Sequence, residues 1–161
     1  MEQAVVLGGV FAIAVAAAIV GLFIARRLRR RRLPYSRRRS LLTAAELRFY
    51  QSLLLAIPDG LTVFVKVRLM DVVDVPDYAW REFGAPGSGM HLDFVLADAG
   101  NLQPRLVIEL DDRSHSRAEV RQRDTFKNTA LAAAGVPILR IAAAFGYDAA
   151  GLRERIGAGI G

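Results

Sequence analysis

Residues 106 to 115 read LVIELDDRSH, and how this stretch is read decides the fold. Leu106 to Leu110 is an apolar run fit for a core strand, yet it carries Glu109, Asp111 and Asp112 and then His115. A carboxylate removed from water is costly unless it is paired or bound to a metal. Strand tips also turn polar where they reach solvent, so two explanations stand: a site, or a solvated strand end.

The preceding strand bears on the choice. HLDFVLAD, residues 91–98, is joined to the third strand by Ala99-Gly100-Asn101 in a hairpin. Because side chains alternate across a strand, Asp93 shares a face with His91 and Val95, and Glu109 and Asp111 share one with Val107. The opposite faces, Leu92-Phe94-Leu96 and Leu106-Ile108-Leu110, are continuously apolar and predict the core. If Asp93 pairs with Glu109, then His91 lies opposite Asp111, and four polar groups converge across strands about 5 Å apart. Such an oxygen-rich cluster suits Mg²⁺ or Mn²⁺, with coordination positions left to water and phosphate. Solvated strand ends and a surface His91–Asp111 ion pair are the competing readings.

Further out, LLTAAELRFYQSLLLAI carries a helix start. Thr43 and Glu46 fit a capping box and Leu42 and Leu47 a hydrophobic staple, predicting a helix from Ala44 to Ala56. LTVFVKVRL predicts the first strand, with Leu61, Val63, Val65, Val67 and Leu69 on one face. Asp71 to Gly89 has no clear period and reads as a long irregular loop. Ser116 and Glu119 form a second capping box, opening a helix at Arg117 that Gly135 and Pro137 end. Its apolar arc is Phe126, Ala130, Ala133 and Ala134, and Lys127 falls within the extended arc. There it either snorkels outward, pairs with Asp124, or reaches the carboxylates. Arg117, Arg121, Asp124 and Asn128 form a separate polar face. VPILRIA is the fourth strand, and Asp148 caps a last short helix. The order helix, three strands, helix, strand, helix predicts an α/β sandwich with a central mixed sheet.

The 161 residues include no cysteine, which excludes disulfides and cysteine-ligated zinc. Of the 22 basic residues, nine lie between Arg26 and Arg39, so 13 basic face 15 acidic from Ser40 onward. Overall charge therefore does not mark the globular part as a nucleic-acid-coating domain. Only two lysines, Lys66 and Lys127, stand against 20 arginines, so each is conspicuous. The 22 residues from Ala4 to Ala25 carry no charge, and at about 1.5 Å per residue a helix of that length matches a bilayer core. RRLRRRR follows at once. This predicts a single transmembrane anchor over residues 1–25, a polybasic linker over 26–40, and a domain over 41–161. The arginines between Arg26 and Arg39 would touch anionic lipid, placing the domain on the cytoplasmic side of the cytoplasmic membrane. A cleaved signal peptide would want positive charge before the apolar run, where only Glu2 stands.

An acid on the second strand, then Glu-x-acid on the third and a helix, resembles the PD-(D/E)XK nuclease superfamily. More closely, HLDFVL, IELDDRSH, RQRDTFKN and GVPILRI, led by LLTAAELRFY and VFVKVRLMDVV, resemble the domain of unknown function 2726 over about Leu41 to Ile156. The very-short-patch-repair endonucleases are similar as well. The resemblance implies a restriction-endonuclease-like three-layer sandwich, which the transmembrane helix expected from the uncharged run would precede. It implies Asp93 and Glu109 as metal ligands, with Asp111 completing the set where a lysine is usual. It also points to His115 as an acid/base or ligand-holding residue, and to Asp124 and Lys127 in the helix, Lys127 standing in for the absent lysine. Glu46 matches a first-helix acid of some members. The expected activity is Mg²⁺- or Mn²⁺-dependent hydrolysis of nucleic-acid phosphodiesters, DNA before RNA. The alternatives are a degenerate domain that binds nucleic acid without cutting it, or a membrane-tethered interaction domain.

Overall fold

The uncharged run from Ala4 to Ala25 is helical, but the helix does not end with it. In the computed structural model, which describes residues 2–30, 33–111 and 118–161 and the side chains of 8–9, 13–28, 33–111 and 122–161, helix α1 spans Glu2–Arg30. Among the described residues no helix is long and apolar enough to cross a membrane. The expected transmembrane anchor over residues 1–25, and with it the single-pass placement in the cytoplasmic membrane, does not hold. Absence of charge is a weaker property than apolarity. The run contains seven alanines and three glycines, which contribute little apolar surface. The same helix continues into Arg26, Arg27, Arg29 and Arg30, whose transfer to hydrocarbon is costly.

The chain divides into two compact units, Met1–Arg39 and Ser40–Gly161. In the second, α2 spans Ala44–Ala56 and its start follows from local chemistry. Thr43 Oγ1 accepts the Glu46 N–H at 3.3 Å, and Glu46 Oε2 accepts the Thr43 N–H at 2.8 Å, completing the capping box. Strand β1 follows over Leu61–Arg68, then β2 over His91–Asp98 and β3 over Pro104–Asp111. Helix α3 covers Ala118–Ala133, β4 Ile138–Ala142, and α4 Ala149–Ile160, capped by Asp148. Gly135, at a φ of 70°, takes the left-handed position that ends α3.

The element order differs from the one expected. Between β1 and β2, where the sequence reads as irregular, stand three short 3-10 turns, Leu69–Asp71, Asp77–Ala79 and Ala85–Gly87, and a π-helical turn, Trp80–Gly84. Elements of three to five residues are too short to show a helical period. The π turn closes because residue 84 is glycine: a Cβ there would stand 2.2 Å from the Trp80 ring.

The sheet is four-stranded and mixed, in the order β1-β2-β3-β4. The first two pairings are antiparallel and β3–β4 is parallel, with α3 as the crossover that a parallel pair requires. Phe49, Leu53 and Ala56 of α2 and Leu152 and Ile156 of α4 pack on one face, against Phe94, Leu96, Leu106 and Ile108. Leu131, Phe126 and Ala130 of α3, with Leu69 and Val73, pack on the other face against Leu92, Val95 and Val107. The fully buried large side chains among them, such as Phe49, Phe94, Leu106 and Leu131, each contribute about 1.5–3 kcal/mol.

The faces are not continuous along β1 and β2. Val63 and Val65 pack in the first cluster but Val67 in the second; likewise Phe94 and Leu96 belong to the first and Leu92 to the second. The strands stay in register through this point, Val65 opposite Phe94 and Val67 opposite Leu92. The switch coincides with Lys66, whose φ of 55° is left-handed. One such residue re-aims everything beyond it, which corrects the single-face reading of Leu61 to Leu69 and of Leu92 to Leu96.

Candidate functional site

The face switch sits where the chemistry is. Regular pairing of β2 with β3 runs up to Phe94 opposite Ile108 and stops one residue short of Asp93 and Glu109. There a side chain takes over from the ladder: Asp93 Oδ2 accepts the backbone N–H of Leu110 at 3.1 Å. Its other oxygen, Oδ1, accepts a bond from Lys66 Nζ at 2.8 Å. The same ammonium donates to Glu46 Oε1 at 2.7 Å, so Glu46 both caps α2 and holds a lysine of β1. Burial works against the charge on Lys66, but the hydrogen bonds to Asp93 and Glu46 outweigh it and hold its pKa above the ordinary value. Burial likewise pushes Glu46 upward, and the bonds from Lys66 and Thr43 outweigh it and hold the carboxyl below its usual range.

Glu109 is more deeply placed, at 7 % exposure. Its Oε2 accepts from Lys127 Nζ at 2.8 Å, and Lys127 is itself only 9 % exposed. The second oxygen, Oε1, is buried with no hydrogen-bond partner among the described residues. Burial pushes the Glu109 pKa up; Lys127 pulls it back, and the nearby Asp93 charge adds to the rise. Lys127 also lies 3.6 Å from Asp124 Oδ1, one turn earlier on α3. The three fates open to Lys127 thus resolve into two at once: it reaches the strand carboxylate and keeps a helix partner.

The other expected members are placed differently. Asp111 is half-exposed and accepts from Arg140 Nη1 at 2.9 Å, because parallel pairing sets β4 beside β3. Arg140 in turn donates to Asn128 Oδ1 at 3.1 Å, tying the polar face of α3 to the sheet. His91 is exposed and pairs in register with Arg68. It lines a cavity of ≈ 340 Å³ with Gly89, Met90, Arg123, Asp124 and Lys127. His115, Asp112, Arg117 and the Ser116–Glu119 capping box lie outside the described residues or side chains.

Among the described residues no three His, Asp or Glu side chains form a ready-made metal-ligand set. Two carboxylates on neighbouring strands, one with a buried oxygen unpartnered among the described residues, are the groups that could hold an ion such as Mg²⁺ or Mn²⁺. Mg²⁺ typically takes one or two carboxylates and fills its remaining positions with water and phosphate. The acids form two separate clusters, Glu46–Lys66–Asp93 beside α2 and Glu109–Lys127–Asp124 beside α3, and each keeps one negative charge beyond its ammonium. Asp111, engaged by Arg140, is part of neither.

Lys66 is the site residue that strand alternation conceals. The signal that points to it is compositional: the chain's only two lysines are the two that hold the strand carboxylates.

The sequence model of one family, described as "Protein of unknown function (DUF2726)", matches residues 38–159. No curated protein and no solved structure matches the chain.

Proposed function

The chain belongs to the DUF2726 family, whose description states no activity, and from the site itself we propose a nuclease-like centre that handles nucleic-acid phosphodiesters, DNA foremost. The observation that carries the reading is Glu109: a carboxylate nine-tenths buried, within reach of the Asp93 charge, with one oxygen left unpartnered among the described residues. A buried acceptor without a donor is costly, and such groups persist where a function needs them.

In this reading Asp93 and Glu109 would hold Mg²⁺ or Mn²⁺. The bound ion would polarise a phosphoryl oxygen and lower the pKa of a bound water. Lys127 and Lys66 supply positive charge beside the same carboxylates, where a phosphate would otherwise meet only anions. The Leu110 N–H fixes Asp93 through its Oδ2, limiting the rotation that would blur the site. Asp111, at the position where the resemblance expects lysine, is held by Arg140 and ties the end of β3 to β4 rather than serving the reaction. The nuclease resemblance and the paired strand carboxylates support one another here.

The test is cleavage of plasmid, single-stranded DNA and RNA by the full-length chain with Mg²⁺ or Mn²⁺. Metal-dependent nicking or degradation is expected, abolished by EDTA and reduced at least about a hundredfold in Glu109→Gln, as for loss of a metal ligand. Retarded migration of nucleic acid without cleavage, by protein shown to be folded, would instead establish a binding-only domain.

A further inference from the structure

The strand carboxylates read above as cation ligands are each already held by an ammonium group, and the two arrangements share a design. Lys66 spans Asp93 on β2 and Glu46 on α2, at 2.8 and 2.7 Å. Lys127 spans Glu109 on β3 and Asp124 on α3, at 2.8 and 3.6 Å. In both, one partner is on a strand and the other on a helix. Neither lysine depends on its strand carboxylate alone for a counter-charge. Glu46 is also fixed independently, because its Oε2 remains in the capping box whatever Lys66 does.

We propose that Lys66 and Lys127 are resident counter-cations which an incoming divalent ion displaces from Asp93 and Glu109, and which then remain on Glu46 and Asp124. The inference rests on the reading of Asp93 and Glu109 as the ion's ligands. Its physical basis is that an ammonium and a divalent ion repel strongly when they share a carboxylate in a partly buried site. One must move, and the second carboxylate gives each lysine a charged partner to keep. Without the ion the lysines neutralise the strand acids, so the site is intact before any metal arrives. With it, the same ammonium groups lie beside the ion rather than on its ligands.

The experiment is a Mn²⁺ titration of the full-length chain, read from the paramagnetic signal of free Mn²⁺, for the parent, Lys66→Asn and Lys127→Gln. Asparagine accepts the left-handed backbone at position 66, and glutamine at 127 keeps a donor for Glu109 without the charge. Circular dichroism melts confirm that each variant is folded. Displacement predicts tighter Mn²⁺ binding in both variants, by about tenfold or more, since the competing cation is gone. A purely positioning role predicts the opposite, because a ligand that loses its support binds more weakly. Equal or weaker binding in both variants overturns the proposal, and tightening in one alone overturns it for the other lysine. No Mn²⁺ binding by any of the three proteins overturns the cation reading itself, and this inference with it.

Discussion

Glu109 and Lys127 are buried together, and each makes the other's burial tolerable. Lys127→Met would leave a buried carboxylate unpaired, at a cost of about 3–5 kcal/mol near neutral pH. Burial already raises the Glu109 pKa above its ordinary value of 4.5, and Lys127 is the principal group opposing that rise. Removing Lys127 raises it further. Between 4.5 and the raised value the native state then binds more protons than the unfolded chain. Stability therefore increases as pH falls through that window and decreases as pH rises through the folded pKa. The Tm difference between parent and Lys127→Met is expected to be largest near about pH 7 and to shrink toward about pH 5. A difference constant across that range would exclude Glu109 as its source. Much of this pair was legible: Glu109 as an acid in an apolar strand, and Lys127 as a charge on an apolar arc. Their contact was only one of three fates for Lys127, because side-chain reach between a sheet and a helix depends on packing that spacing does not encode.

Helix α2 and strand β1 differ in how much the sequence discloses. The capping box of α2 is chemistry between residues three apart, and Thr43 and Glu46 suffice to read it. The second task of Glu46, holding Lys66 from 20 residues away, requires the tertiary fold. In β1, counting alternate residues presumes extended backbone throughout, and the left-handed Lys66 breaks that premise without any glycine to announce it. If position 66 is held left-handed by the fold, then Lys66→Gly and Lys66→Ala, which lose the same ammonium, must differ in backbone cost alone. Glycine is expected to leave the protein more stable than alanine by about 1 kcal/mol, read from urea unfolding. Equal stabilities would show that the backbone relaxes to an extended form once the lysine is gone.

For the whole molecule, the two hydrophobic clusters, both strand carboxylates and both lysines fall within Ser40–Gly161. A chain beginning at Ser40 is therefore expected to unfold cooperatively with a Tm within about 3 °C of the full chain, a difference of less than about 1 kcal/mol. A drop of about 10 °C would mean that residues 1–39 contribute to the core of the second unit. At this scale the mixed sheet and its helices were legible from periodicity and caps, whereas the consequence of setting β4 beside β3 was not. That pairing brings Arg140 to Asp111.

Strand β1 lies at the outside of the sheet, paired among the described residues with β2 alone, and is eight residues long with Phe64 exposed on it. A straight outer strand of that length offers its free backbone groups as a template to any other extended chain, the usual start of aggregation. The left-handed residue at Lys66 interrupts the row of outward N–H and C=O groups two residues before the strand ends. A foreign strand could follow β1 for only a few residues on either side before its bonds no longer matched. The same local twist that brings an ammonium to Asp93 thus guards the open side of the sheet against self-assembly.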